Sequence, residues 1–448
     1  MTTHHSAPFE KDFYQQHPDV AAWRDSDQWR REQRVTVSDR QAPKPVRTFL
    51  EAAFPEGITA ELEASGFEKP TPIQSQAWPL ALSGRDVIGL AGTGSGKTLC
   101  FALPALVHIL AQDHLKPGDG PIAMFLAPTR ELALQIKSEC DKFGSSSGVK
   151  NTAVYGGVPK GPQQRDLGHG VEIVIATPGR LLDFMEEGVT NLQRCTFLVL
   201  DEADRMMDFG FEPQLRRVVE CVRPDRQTLM WSATWPREVQ SLAREFLSDA
   251  VLVQVNNAAV LRATESVDQR FELCGDEQSK LATFYDILAN SAAVASGKAI
   301  VFCEKKRGCE AMVGHLQRRG VAGASLHGDK SQQERDYALQ QFRQGAVRVL
   351  VATDVAGRGL DVRDVTAVIN FDAPSSAEDY VHRVGRAGRA GATGVAYTLL
   401  TPSDASVARE LANMLRKSRH GVPSALQRVA DMGGRYDDGH RRWGNGRK

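Results

Sequence analysis

The stretch Ala91-Gly92-Thr93-Gly94-Ser95-Gly96-Lys97-Thr98 stands between an apolar run, Asp86 to Leu90, and a helix-patterned run, Leu99 to Ala111. Strand, glycine-rich turn and helix in that order form a loop built to grip phosphate. Glycines let successive backbone N–H groups turn inward around oxyanions, and the helix N-terminus adds positive potential. Lys97 then brings a full charge to the terminal phosphates, and Thr98 offers a hydroxyl to Mg²⁺. A Gly/Ser/Thr run alone is also what a flexible turn looks like; the flanking strand and helix select the phosphate-binding reading. The usual first glycine of the pattern is Ala91, so the motif alone leaves the class of nucleotide-binding protein open.

With 448 residues the chain exceeds what one hydrophobic core organises, so two domains with extensions are expected, and 42% hydrophobic residues suffice to fill both. Formal net charge is zero, but Arg416 to Lys448 carries nine Lys/Arg against three Asp. That glycine-containing end reads as a disordered basic tail, solubilising or ligand-binding. Seven scattered cysteines with no CxxC spacing suggest neither a disulfide framework nor a zinc site, and fit a reducing compartment. No apolar run approaches a membrane span, and the N-terminus lacks the pattern of a signal or transit peptide. A soluble protein of cytoplasm or nucleus, without membrane attachment, is the expectation.

From Asp86 onward, short apolar runs alternate with amphipathic ones. Ile122 to Ala127, Ile173 to Ala176, Phe197 to Leu200 and Thr228 to Trp231 read as buried parallel strands. The alternation restarts after a polar stretch, 256–266, with Lys298 to Phe302, Arg348 to Ala352, Ala367 to Asn370 and Val395 to Leu399. The fold class is therefore α/β, with two tandem parallel-sheet domains. The expected layout is an N-terminal extension (1–45), a first domain (46–255), a linker (256–266), a second domain (267–420) and a tail (421–448). Parallel sheets bind ligands at the carboxyl ends of their strands. The strand Phe197 to Leu200 delivers Asp201-Glu202-Ala203-Asp204 to that edge. Asp201 suits a Mg²⁺ ligand through water, and Glu202 suits the base that polarises the attacking water. Asp204 reads as a tether between neighbouring loops.

Ala91 to Thr98, Asp201-Glu202-Ala203-Asp204 and Ser232-Ala233-Thr234 together resemble the DEAD-box RNA helicases, and the resemblance spans roughly Phe49 to Ala412. Phe9-Glu10-Lys11-Asp12-Phe13-Tyr14, His17-Pro18-Asp19-Val20 and Pro43-Lys44-Pro45 are similar to the extension of the p68-like nuclear subgroup. The resemblance implies two RecA-like domains joined by a flexible linker, with ATP and Mg²⁺ as cofactors. It implies that Gln74, in Gly66 to Gln74, reads the adenine edge and that Phe67 covers the ring. Phe49 matches the upstream aromatic, and a core residue of an amphipathic segment explains it equally well. Thr93, Gly94, Ser95, Gly96, Lys97 and Thr98 belong to the ATP site, with Gly92 where the family usually has Gln. In the second half, Arg386 and Arg389 match arginine fingers, worth about 10³ to 10⁵ in rate, and Asp361 matches a ribose contact.

The resemblance further implies RNA contacts from Pro128, Thr129, Arg130, Gly156, Gly157, Thr177, Pro178 and Arg180 in the first domain and from Gly328, Arg335 and Thr353 in the second. Such groups suit phosphates and sugars, so binding should be largely independent of sequence. Ser232, Thr234 and His382, with Asp204, would couple the two ligands. A monomer is expected that closes on ATP and single-stranded RNA together, bends the strand and separates a few base pairs, with hydrolysis reopening the cleft. Partner proteins of a ribonucleoprotein fit this role. An ATP-gated RNA clamp with little unwinding is the alternative. A processive DNA helicase fits less well, for want of a strand-separating insertion, and an inactive scaffold fails because Lys97, Glu202, Arg386 and Arg389 are all in place.

Overall fold

The computed structural model describes residues 8–92, 94–255, 267–354, 362, 364–388, 393–417 and 421–432. The chain divides into two compact units between Ala259 and Val260. Thr93, Asp361, Arg389, the segment 256–266 and residues 433–448 lie outside the described residues.

The first unit is built on eight strands: β1 (Val35–Val37), β2 (Val87–Leu90), β3 (Ala123–Leu126), β4 (Asn151–Val154), β5 (Ile173–Ala176), β6 (Phe197–Leu200), β7 (Gln227–Ser232) and β8 (Val251–Val255). Their order across the sheet is β1-β8-β2-β7-β6-β3-β5-β4. All pairs are parallel except β1 with β8. Every residue of β2, β3, β5, β6 and β7 is buried, because helices cover both faces, which is why these strands read as unbroken apolar runs. The chain leaves β2 for β3 and returns later to insert β6 and β7 between them. That switch in winding opens a crevice at the strand ends, and it puts the loops after β2, β7 and β6 side by side. Trp231 on β7 lies so close to β2 that a Cβ at Gly89 would stand 2.0 Å from its ring, so only glycine fits there.

The N-terminal extension is integral to this unit. Val20 is fully buried, Val35–Val37 completes the sheet edge, and the Phe13 amide donates to Leu82 O at 2.6 Å.

The second unit holds six strands: β9 (Val267–Leu273), β10 (Lys298–Phe302), β11 (Gly323–Leu326), β12 (Val349–Ala352), β13 (Val365–Asn370) and β14 (Gly394–Leu400). They run parallel in the order β11-β12-β10-β13-β14-β9. One expected boundary is corrected. The tail was expected from residue 421, yet Ser424–Met432 is a helix that buries Leu426, Val429 and Ala430 in this unit's core, beside the helix Ala405–Lys417. Apolar residues at i, i+3 and i+4 outweigh the basic, glycine-containing composition around them. Strands β1, β4, β8, β9 and β11 are additional to those the apolar runs mark. In β9, at the sheet edge, exposed residues alternate with more buried ones, so it does not read as an unbroken apolar run.

Candidate functional site

At the end of β2 the chain turns through Gly94 and Gly96, with φ of 77° and 88°, into the helix Lys97–Leu110. A Cβ at Gly96 would meet Gln74 Nε2 at 2.6 Å. Glycine therefore serves there twice, for its left-handed backbone and for the space it leaves. Gln74 Nε2 donates to Gly96 O at 3.0 Å, while its Oε1 accepts from the Thr71 amide at 2.9 Å. One N–H and one lone pair of the amide are thus engaged with protein, and one of each remains for a ligand edge. Ser95 Oγ donates to Gly92 O at 2.8 Å, and Lys97 Nζ to Ala91 O at 2.7 Å. Thr98 is half-buried one residue into the helix.

The two aromatic residues differ. Phe67 is 46% exposed, with Lys142 Nζ 5.8 Å from its ring centre, whereas Phe49 is 7% exposed and packs on Trp78 at 6.1 Å. Of the two explanations open for Phe49, its place is that of a core residue.

Two strands along the sheet, β6 ends in Asp201 and Glu202, which are 3% and 8% exposed. Burial pushes the Asp201 carboxyl up to about 7, against the pull of the Lys97 ammonium and with help from the charges of Glu202 and Asp204. Glu202 holds φ 53° and ψ 53°, a left-handed conformation that costs a non-glycine residue about 1–3 kcal/mol. Such strain persists where surrounding structure over-determines it. Here the Glu202 amide donates to Asp201 Oδ1 at 3.0 Å, and the helix Ala203–Asp208 starts directly after it. Asp204 Oδ2 accepts from Thr234 Oγ1 at 2.8 Å and from the Thr234 amide at 3.0 Å, and the Asp204 amide donates to Ser232 Oγ at 3.3 Å. The loops after β6 and β7 are pinned together by one carboxylate.

Among the described residues no group of three or more His, Cys, Asp or Glu could enclose a metal ion. The donors present, adjacent buried carboxylates beside a phosphate loop, fit a hard cation that keeps several waters and takes phosphate oxygens.

The remaining strands of the first sheet carry the other predicted contacts. The loops after β3, β5 and β4 are adjacent: the Ala127 amide donates to Ala176 O and the Thr177 amide to Val154 O, both at 2.9 Å. Thr129 and Thr177 precede the helices Arg130–Gly144 and Pro178–Glu186, and Gly156 and Gly157 are exposed. Pro128 and Pro178 are buried. Arg130 stacks on Tyr155 at 4.8 Å. Arg180 donates to Val158 O at 2.9 Å and its side chain is 8% exposed, so it braces the β4 loop from within.

In the second unit Gly328 is exposed, Arg335 half-buried and Thr353 7% exposed. Arg386 and His382 are both 4% exposed, and Arg386 Nε donates to His382 O at 3.1 Å. Arg383, which the sequence did not single out, is bidentate to Asp354 at 2.6 and 2.7 Å and donates to Asp372 O at 2.7 Å. It holds the helix Ala377–Val384, which precedes Arg386, against the ends of β12 and β13. Its only sequence signal was membership of an arginine-rich helix.

These features define a P-loop nucleotide-binding protein with two parallel-sheet units. Residues 71–242 match the family described as DEAD/DEAH box helicase, and residues 279–391 match the helicase conserved C-terminal domain. The chain is 52% identical over 441 residues to ATP-dependent RNA helicase DBP2 of Candida albicans, covering 98% of this chain and 78% of that protein. It is 51% identical over 441 residues to DBP2 of Saccharomyces cerevisiae, covering 98% and 80%. Among solved structures, S. cerevisiae Dbp5 bound to RNA and ADP BeF3 is similar at a TM-score of 0.70 and 27% identity, over 88% of this chain and 94% of that one. Yeast splicing factor Prp28 gives 0.52 and 29%, over 95% and 98%. The chain belongs to the DEAD-box helicase family, and its two sheets are RecA-like.

Proposed function

We infer that this chain is an ATP-dependent RNA helicase that hydrolyses ATP while gripping RNA and separates short duplexes locally. The observation that carries the reading is the Asp204 carboxylate, joining the loop of Glu202 to Thr234 at 2.8 Å. A change at the γ-phosphate side has there a direct route to the neighbouring strand end.

Lys97 and the amides after Gly94 would hold the phosphates, and Gln74 would read adenine with its remaining donor and acceptor. Asp201 and Thr98 would hold Mg²⁺, which supplies charge neutralisation at the phosphates. Glu202 would accept a proton from the attacking water. Arg386 and Arg389 would act as the arginine fingers and Asp361 as the ribose contact. The RNA backbone would lie along the loops after β3, β4 and β5 and along Gly328, Arg335 and Thr353. The relatives' shared description as helicases favours unwinding over a static clamp. All seven cysteines are free thiols, consistent with nucleus or cytoplasm. The test is ATPase rate with RNA, DNA or neither, alongside displacement of a short RNA strand. Stimulation by RNA with displacement supports the reading; stimulation by DNA alone, or long-lived RNA binding without displacement, overturns it.

A further inference from the structure

On the second unit, a single carboxylate oxygen organises the turn that follows β11. Glu310 Oε1, on the helix Lys306–Arg318, accepts from Ser325 Oγ at 2.8 Å, from His327 Nε2 at 2.7 Å and from Lys330 Nζ at 2.9 Å. Burial alone would push this carboxyl up, yet the three donors outweigh it and hold the group down at about 2. One turn earlier on the same helix, Lys306 Nζ meets Asp329 Oδ1 at 2.5 Å. Gly328 therefore sits between two residues, His327 and Asp329, that are each tied to one helix face. His327 is 5% exposed, and its bond to a carboxylate places the proton on Nε2. The Lys330 amide closes the turn on His327 O at 3.1 Å, and Ser331 starts the next helix, which carries Arg335.

We propose that Glu310 is a positioning residue for RNA: it fixes the His327–Lys330 turn in the shape that presents Gly328 and aims the helix of Arg335. This rests on the reading of Gly328 and Arg335 as RNA contacts. The physical reason is entropic. A glycine in an exposed turn samples many backbone states, and a turn already ordered does not have to be ordered when the ligand binds. Glu310 touches neither ATP nor RNA in this scheme, so its loss acts on how much RNA is needed rather than on the rate once RNA is bound.

The experiment is RNA-stimulated ATPase of the full chain as a function of a short single-stranded RNA. Glu310→Ala should raise the RNA concentration for half-stimulation about tenfold, with the rate at saturating RNA and the KM for ATP changed less than about twofold. Glu310→Gln keeps the acceptor oxygen but not the charge, and should raise it only about threefold. An unchanged half-stimulation in both variants overturns the proposal. So does a parallel fall in maximal rate and ATP affinity, which would mark a folding defect. Arg335→Ala separates the levels: if it weakens RNA while the Glu310 variants do not, only the positioning role fails. If Arg335→Ala leaves RNA binding untouched, the underlying RNA site fails.

Discussion

Glu202 combines a left-handed backbone at φ 53° with a side chain only 8% exposed, on the strand edge shared with the phosphate loop. A residue held so has little freedom to choose another rotamer or hydrogen-bond partner, which is what a base must have if it is to meet one water. Glu202→Gln keeps shape and size and removes proton acceptance. Single-turnover and steady-state ATPase should fall by about 10²- to 10⁴-fold, while ATP-dependent RNA binding, measured by fluorescence anisotropy, persists. Wild-type turnover in that variant would place the base elsewhere. Gln74 teaches a related lesson. Its amide, which the family resemblance assigns to the adenine edge, ties Thr71 to the carbonyl of Gly96. Under the proposed function, recognition of the base and shape of the phosphate loop would share one side chain.

Two segments outside the predicted domain cores prove structural. The N-terminal extension lays Phe9 and Phe13 against His108, with ring centres 5.6 and 6.1 Å away, while Phe197 closes the other side at 5.2 Å. His108 is 1% exposed and shares a hydrogen bond of 2.8 Å with Thr196 Oγ1. Burial, reinforced by the charge of Lys11, pushes its pKa down to about 3, so the folded protein keeps the ring neutral. The unfolded chain protonates it near 6.5. The resulting stability is therefore whole above about pH 6.5 and declines as pH falls from there toward 3, by up to about 1.4 kcal/mol per pH unit. Urea midpoints should drop between about pH 6.5 and 5 more steeply for the wild type than for His108→Gln; equal slopes would mean that the folded ring is charged. At the other end, the helix Ser424–Met432 buries Leu426 completely. Leu426→Ala should lower unfolding free energy by about 2–5 kcal/mol. Truncation after Met432 should leave the unfolding midpoint in place. It removes Arg435, Arg441, Arg442, Arg447 and Lys448, so the slope of log K against log salt for RNA should flatten by about 0.7 for each of these cations that neutralises a phosphate.

Across the whole molecule, the proposed chemistry is divided. The phosphate loop and both carboxylates belong to the first unit and Arg386 to the second. Arg386→Ala should abolish RNA-stimulated ATPase by at least about 10³-fold and leave nucleotide binding, followed with a fluorescent analogue, intact; undiminished stimulation would remove Arg386 as the finger. Much of this division was legible along the chain, because a strand buried on both faces must be an apolar run and its carboxyl end must be where polar chemistry begins. Val87–Leu90 and Phe197–Leu200 announce themselves so, with Lys97, Asp201 and Glu202 just beyond. Linear order of residues also carried the two sheets and the residue types a phosphate site needs. What it could not carry was adjacency: that β7 slips between β2 and β6, that Thr234 is the residue the Asp204 tether bonds, that Glu310 gathers Ser325, His327 and Lys330. The side-chain pairings join residues 15 to 30 positions apart, and β2 pairs with a strand far along the chain, Val87 beside Leu229. They depend on helix and strand orientations that arise only when apolar faces are buried together, so local pattern contains no record of them.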